Sequence, residues 1–191
     1  MRLFTWFIFV PAMVLLLSLA LFDLRWGTRE LSRAVMIGLI GGLAGAVAYD
    51  VFRLPFVFAR EWGIAGVIPP MPLFKVFPRF GAMILGQPIE QTSYSTAAQI
   101  LGWIYHFSNG ATFGIMYLAM VGHGSRHHWS WAVVMAVGIE LAMLITPYPQ
   151  TFGIPITGLF IAVTLTAHLI FGVGLGLTSR GIQNSLRASP A

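Results

Sequence analysis

Three ionisable side chains lie inside long apolar stretches of the sequence: His106, Glu140 and His168. Ionisable residues are costly within a membrane, usually face the interior of a helix bundle and mark functional sites. At about 1.5 Å of rise per residue, His106 and His168 lie roughly 14 and 18 Å from the same side of the membrane, with Glu140 in a similar middle layer. The three side chains could therefore meet at one polar centre.

Several kinds of chemistry fit such a centre. Two imidazoles and a carboxylate are ligands for zinc, iron, manganese or nickel, although no local spacing signature supports a metal here. His106 and His168 could instead hold haem b from parallel helices. A neighbouring His and Glu also influence each other's protonation, which suits a proton relay. A structural interpretation stays open as well, because intramembrane polar groups also join helices to one another.

The residues around each histidine predict a face turned toward the bundle interior. Polar and small residues near His106 recur at intervals of three, four and seven, which is one face of a helix. They are Gln99, Gly102, His106, Asn109, Gly110, Gly114 and Tyr117. Thr157, Thr164 and Gly172 share the face of His168. The candidate intramembrane site therefore includes Asn109 and Tyr117.

A second group of histidines lies at residues 123–128, which read His-Gly-Ser-Arg-His-His. His123 and His127 have i, i+4 spacing, but a short hairpin that contains glycine need not be helical. We favour a polar cytoplasmic turn that meets lipid headgroups over a metal site. Trp129 and Trp131 would then anchor the next helix at the interface.

The composition is typical of a membrane protein. The 191 residues are 57% hydrophobic and only 9% charged, whereas soluble domains have about 25% charged residues. The formal charge of +5 comes from scattered residues, so nucleic-acid binding is not expected. The chain contains no cysteine, which excludes disulfides and thiolate metal sites. Phosphate-loop, His-Glu-x-x-His, Gly-x-Ser-x-Gly and dinucleotide motifs are also missing, so an enzyme is not favoured.

The apolar stretches predict an all-α, single-domain helix bundle with five membrane spans, since a span needs roughly 20 apolar residues. The predicted spans cover residues 3–22, 34–49, 97–121, 129–145 and 156–178. A cleaved signal peptide is the alternative for the first span, because residues 18–20 resemble a cleavage site. Prolines between residues 63 and 96 argue against a further span. The phenylalanines and cations of residues 74–80 predict a proline-rich interfacial loop there, with a buried re-entrant hairpin as the alternative.

Glycines in the second predicted span indicate close helix packing. Gly38, Gly41, Gly42 and Gly45 form two overlapping Gly-x-x-x-Gly pairs, and Gly172 allows a similar approach in the fifth span. Packing within the chain is favoured over self-association, because a multi-pass chain supplies its own partner helices.

The basic residues divide almost equally between the two sides of the membrane, so orientation depends on one loop. Residues 147–155 carry no charge, which favours an external position for this loop. We therefore expect the amino terminus outside and the carboxy terminus in the cytoplasm.

Residues 33–180 resemble the YagU family of bacterial inner-membrane proteins. The similarity rests on Ile37-Gly38-Leu39-Ile40-Gly41, on Arg53-Leu54-Pro55, on His106 followed eleven residues later by Tyr117, on a tryptophan and prolines that bound the fourth span, and on His168-Leu169. The resemblance implies an inner-membrane location, an association with acid resistance and an external loop after the second span. The first span has no counterpart in that family, and Glu140 stands where an uncharged polar residue is expected.

These features predict a multi-pass membrane protein that handles protons or a metal ion, of transport or acid-response type. The first alternative is a non-catalytic membrane subunit of a larger complex, with haem b on His106 and His168. An enzyme that acts on lipid is the third possibility. Transporters often contain inverted repeats, and none is visible here.

Overall fold

The chain is helical through most of the part that the structure, a computed structural model, describes, which is residues 2–121 and 128–188. The helices are α1 (Arg2–Phe4), α2 (Val10–Trp26), α3 (Glu30–Val57), α4 (Val76–Leu85), α5 (Thr96–Val121), α6 (Ser130–Ile145), α7 (Tyr148–Thr151) and α8 (Gly158–Ala188). A π-helical turn (Thr5–Phe9) joins α1 to α2, and a 3-10 turn (Leu73–Lys75) precedes α4. With 79% of the described residues in helices, the protein is all-α, as predicted.

Three segments are long and apolar enough to cross a membrane: Thr5–Trp26, α3 and α8. They correspond to the first, second and fifth predicted spans. Helix α6 is apolar but has only 16 residues, which is about 24 Å at 1.5 Å per residue. Helix α5 has 26 residues, but its histidine, asparagine and glutamine lower its hydropathy. The prediction of five spans is therefore not confirmed.

Asp23 closes the turn between α2 and α3. Its carboxylate accepts backbone N–H groups of Ser32 at 2.9 Å and Arg29 at 3.1 Å, which satisfies donors that the start of a helix leaves unpaired. Only 6% of the apolar window in Thr5–Trp26 is buried inside the protein. Nearly all of this segment is therefore available for contact with lipid.

Helix α3 lies between α5 and α8, and its glycines set both distances. A Cβ on Gly42 would lie 2.1 Å from the Gly110 carbonyl oxygen of α5, and one on Gly45 would lie 2.7 Å from the Phe171 carbonyl oxygen of α8. Gly38 also faces α5, and Gly41 also faces α8. Since any side chain would push these backbones apart, the glycines permit a tight three-helix contact.

Helix α6 packs against the outer side of α8. A Cβ on Gly172 would lie 2.5 Å from the Cα of Val133, so this glycine permits the close approach of α8 to α6. The bundle order around the core is therefore α5, α3, α8 and α6, with α4 packed on α5.

Replacing Gly42 by alanine is expected to lower the thermal unfolding temperature, because the new methyl group meets the Gly110 backbone. Overpacking of this kind costs about 1–3 kcal/mol. Gly138→Ala is the matched control, since no atom lies within 4 Å of a Cβ at that helical position. Circular dichroism of the two detergent-solubilised variants would measure the difference. Equal unfolding temperatures would show that α3 and α5 are not in this close contact.

Helix α4, in the middle of the proline-rich segment, packs tightly against the first half of α5, whereas residues 60–72 and 86–95 on either side of it are non-helical and exposed or half-buried. A Cβ on Gly81 would lie 1.7 Å from the Ala98 carbonyl oxygen, and one on Gly102 would lie 1.9 Å from the Phe77 carbonyl oxygen. Phe77 and Phe80 are 3% and 7% exposed. The predicted interfacial loop is therefore not confirmed, since these aromatic rings are buried against α5 instead of facing headgroups.

Candidate functional site

Two His–carboxylate pairs contain buried ionisable side chains of the bundle. His168 of α8 places Nδ1 3.3 Å from Oε2 of Glu140 in α6. His106 of α5 places Nε2 2.8 Å from Oδ2 of Asp50 in α3. All three predicted side chains lie in this region, and they take part in two His–carboxylate pairs in which His106 contacts Asp50 instead of Glu140. Each pair joins two helices.

The surroundings of His168 fix the position of its ring proton. Nδ1 lies 2.9 Å from the Thr164 carbonyl oxygen as well as close to Glu140. Both neighbours accept hydrogen bonds, so Nδ1 carries the proton and donates it. Nε2 is then the nitrogen that can take up or release a second proton. Glu140 is only 3% exposed, so its carboxylate depends on this histidine for compensation.

Asp50 forms the centre of the second pair. Besides accepting from His106, it lies 3.4 Å from Nη1 of Arg53, one turn further along α3. The other terminal nitrogen of Arg53 donates to the Leu73 carbonyl oxygen, which fastens the segment before α4 to α3. Asp50 and Arg53 are 9% and 4% exposed. The pairing explains why α3 continues as a buried helix where the sequence suggested that the chain leaves the membrane.

Tyr49 connects the two pairs. Its ring centroid lies 5.8 Å from that of His106 and 5.0 Å from that of His168. The guanidinium carbon of Arg53 lies 4.7 Å from the same ring, a cation–π distance. We refer to Tyr49, Asp50, Arg53, His106, Glu140 and His168 as the buried cluster.

Aromatic rings enclose the His106 side of the buried cluster. Phe77 stacks on His106 with a centroid distance of 4.3 Å and an interplanar angle of 28°. Trp103 approaches the same imidazole edge-on at 5.9 Å. The docking of α4 on α5 therefore shields the Asp50–His106 pair from solvent.

The buried cluster contains more carboxylates than cationic side chains. Two carboxylates, Asp50 and Glu140, accompany a single guanidinium, that of Arg53. With both imidazoles neutral, the cluster carries one excess negative charge in an apolar setting, which is unfavourable. One added proton makes it neutral.

A cavity of about 470 Å³ reaches the buried cluster. Its lining includes Tyr49, Arg53, Glu140 and His168, so the His168 side of the cluster is in contact with it. The remaining lining comes from residues 71–79, from Met143 and Leu144 of α6, from residues 148–157 and from the first half of α8. The cavity therefore lies at the end of the bundle where α3 and α6 finish and α8 begins.

Tyr148 of α7 also lines this cavity. Burial raises the pKa of Tyr148 above its ordinary value. The phenol therefore keeps its proton at physiological pH and presents a hydrogen-bond donor to whatever occupies the cavity.

Two residues predicted for the site lie outside the buried cluster. The Asn109 side chain lies beside that of Tyr105, one turn earlier in α5. Tyr117 is 2% exposed and packs in the apolar core with Ile37 and Ala132. His123 and His127 lie outside the described residues, whereas His128 is exposed and bonds to Ser130.

Sequence reasoning missed Tyr49, Asp50 and Arg53, because charges after an apolar run were read as the end of a span. A signal was present in the sequence. Residues 51–58 are apolar except for Arg53, and an Asp–Arg pair at i, i+3 within a continuous helix can neutralise itself.

The described residues include no group of three His, Cys, Asp or Glu side chains placed to hold a metal ion. Haem ligation by His106 through Nε2 would compete with Asp50, which occupies that nitrogen. The metal and haem predictions therefore gain no support and stay predictions.

Comparisons with protein-family models, with curated proteins and with solved structures find no match to this chain. The resemblance of residues 33–180 to the YagU family stays a prediction.

Proposed function

We propose that this chain is a multi-pass protein of the bacterial inner membrane that takes up and releases a proton at the His168–Glu140 pair. The process would serve an acid response or proton-coupled transport. One observation carries the proposal. A buried cluster with one excess carboxylate lies at a cavity, next to an imidazole whose second nitrogen is free to be protonated.

The charge of the cluster favours proton binding. Burial of a net charge in an apolar bundle costs much more than burial of a neutral group. Histidine is the side chain that ordinarily changes charge between about pH 5 and pH 8. A falling pH therefore supplies the proton that neutralises the cluster, and a rising pH removes it.

The other groups around the pair are consistent with this role. Arg53 is held by Asp50 and the Leu73 carbonyl group, so it is not free to neutralise Glu140 as well. Tyr49 and Tyr148 lie along the same cavity and can donate hydrogen bonds. Lys75 and Arg79 also line it.

The proposed topology directs the cavity outward. Five spans with an external amino terminus place the carboxyl ends of α3 and α6 and the amino end of α8 on the external side. External water would then reach His168 and Glu140 through the cavity, which suits a response to acid outside the cell. The resemblance to the YagU family, with its association with acid resistance, favours the same function.

Survival of acid-challenged bacteria that produce this chain tests the proposal. His168→Gln is expected to reduce survival to that of cells without the chain, because a neutral amide cannot bind the proton. His128→Gln, which removes an exposed histidine, should leave protection unchanged. Membrane levels of both variants would be measured by immunoblot. Full protection by His168→Gln would contradict the proposal.

A further inference from the structure

The cavity beside the buried cluster combines cations with apolar walls, and we propose that it binds an anionic amphiphile. The negatively charged head would lie against Lys75 and Arg79, and the apolar part would extend along the methionine, leucine and phenylalanine side chains of α6 and α8. The ligand class is a small molecule with a carboxylate or phosphate head and an acyl chain. The inference rests on the cavity itself and goes beyond proton uptake.

The cavity has the size and lining of a ligand site. Its volume of about 470 Å³ falls within the 300–1,000 Å³ that is typical of small-molecule pockets. Most of the lining is apolar, and the side chains that form the walls include Met71, Val76, Met143, Leu144, Ile154 and Phe160. Such walls suit a hydrocarbon chain and leave little to bind a purely polar ion.

The charged side chains of the lining favour an anion. Three are cations, namely Arg53, Lys75 and Arg79, and one is the carboxylate of Glu140. Lys75 and Arg79 are one helical turn apart and both line the cavity. A cationic ligand would be repelled by this lining, whereas an anionic head would meet two cations together.

Two of the three cations in the lining, Lys75 and Arg79, form no ion pair with a carboxylate of the described residues. Within residues 2–121 and 128–188, the ion pairs involve Asp50 and Glu140 but neither Lys75 nor Arg79. Arg79 donates to the Phe152 carbonyl oxygen, which orients its guanidinium without removing the charge. Glu90 also lies near Gly153, the residue after Phe152. It forms no ion pair with Arg79 among those of the described residues.

The position of Glu140 sets the orientation of the ligand's head and acyl chain in the cavity. Its carboxylate lies at the buried cluster and repels an anionic head, while Arg53 is already engaged by Asp50. The head therefore binds at Lys75 and Arg79, and the acyl chain takes the space between them and Glu140.

Thiol labelling can measure occupancy directly, because the natural chain has no cysteine. Leu144→Cys places a thiol in the cavity wall, one turn beyond Glu140, and Val67→Cys places one at a site that is 88% exposed. Both variants would be reconstituted in phosphatidylcholine nanodiscs and treated with an uncharged methanethiosulfonate reagent. At ten times its Kd, dodecanoate should slow labelling of Leu144→Cys by about tenfold and leave Val67→Cys unaffected.

Four compounds separate the contribution of the anionic head from that of the acyl chain and distinguish a free amphiphile from a lipid as the ligand. Protection by dodecanoate or by short-chain phosphatidylglycerol supports the proposal, and the stronger of the two shows whether the ligand is a free amphiphile or a lipid headgroup. Dodecanol and dodecyltrimethylammonium should protect far less. Equal protection by all four compounds, protection by none, or an unreactive Leu144→Cys would overturn the proposal.

Charge variants test the two cations. Lys75→Gln/Arg79→Gln, introduced into Leu144→Cys, should abolish protection by dodecanoate. Arg33→Gln/Arg60→Gln removes the same charge from exposed positions and should keep it. The ligand series on Leu144→Cys alone remains decisive if the first double variant does not fold. Proton uptake at the His168–Glu140 pair without protection of Leu144→Cys would overturn this inference and leave the proposed function unaffected. Protection of Leu144→Cys without proton uptake would overturn the proposed function and leave this inference unaffected.

Discussion

Replacing Asp50 by alanine is expected to destabilise the folded bundle by about 3–5 kcal/mol, the cost of leaving a buried charge without its partner. Arg53 is 4% exposed and His106 is largely enclosed by Phe77 and Trp103. Loss of the carboxylate deprives both of their acceptor. Chemical unfolding in mixed micelles, followed by circular dichroism, would measure the change.

Two further variants separate the lost pairing from a general loss of packing. Asp50→Asn/Arg53→Met removes both charges and should recover much of the stability, because neither partner is then left buried and charged. Glu61→Ala removes an exposed acid shortly after α3 and should change the unfolding free energy little. If the double variant is as unstable as Asp50→Ala, the ion pair is not the source of the effect.

The class of fold could be predicted from the sequence, because long apolar stretches and scarce charge allow few alternatives to membrane helices. The glycine spacing of residues 38–45 indicated close packing, and the contacts of α3 with α5 and α8 show where it occurs. His168 and Glu140 also drew attention as buried ionisable residues. They could be identified because an isolated charge in an apolar run is rare whatever its tertiary surroundings.

The pairing of these residues could not be predicted in the same way. Asp50 follows an apolar run and precedes Arg53, a pattern that also marks the end of a span, and only the contact with His106 shows it to be internal. Phe77 and Phe80 fit an interface by composition, but the close contacts at Gly81 and Gly102 bury them. Both cases depend on which helices pack together, which periodicity along one chain does not determine.

Replacing Glu140 by glutamine is expected to reduce acid-induced proton uptake by about one proton per chain, since histidine is the ordinary titrating group between about pH 8 and pH 5. In the variant, Asp50 and Arg53 balance each other, so the cluster is neutral with unprotonated imidazoles. It then has no excess charge that binds a proton. Glutamine has nearly the shape of glutamate and can still accept a hydrogen bond from His168.

Glu61→Gln provides the matched control for this measurement. It makes the same chemical change at an exposed position just beyond α3. Glu61 lies outside the buried cluster, so its replacement should leave proton uptake at the His168–Glu140 pair unchanged. Both variants would be required to keep the helical content and the elution volume of the natural chain.

The decisive measurement is potentiometric titration of the natural chain and Glu140→Gln in unbuffered detergent solution between pH 8 and pH 5. Proton binding at the His168–Glu140 pair predicts that Glu140→Gln takes up about one proton fewer than the natural chain, while Glu61→Gln matches the natural chain. Equal uptake by Glu140→Gln and the natural chain would contradict proton binding at this pair.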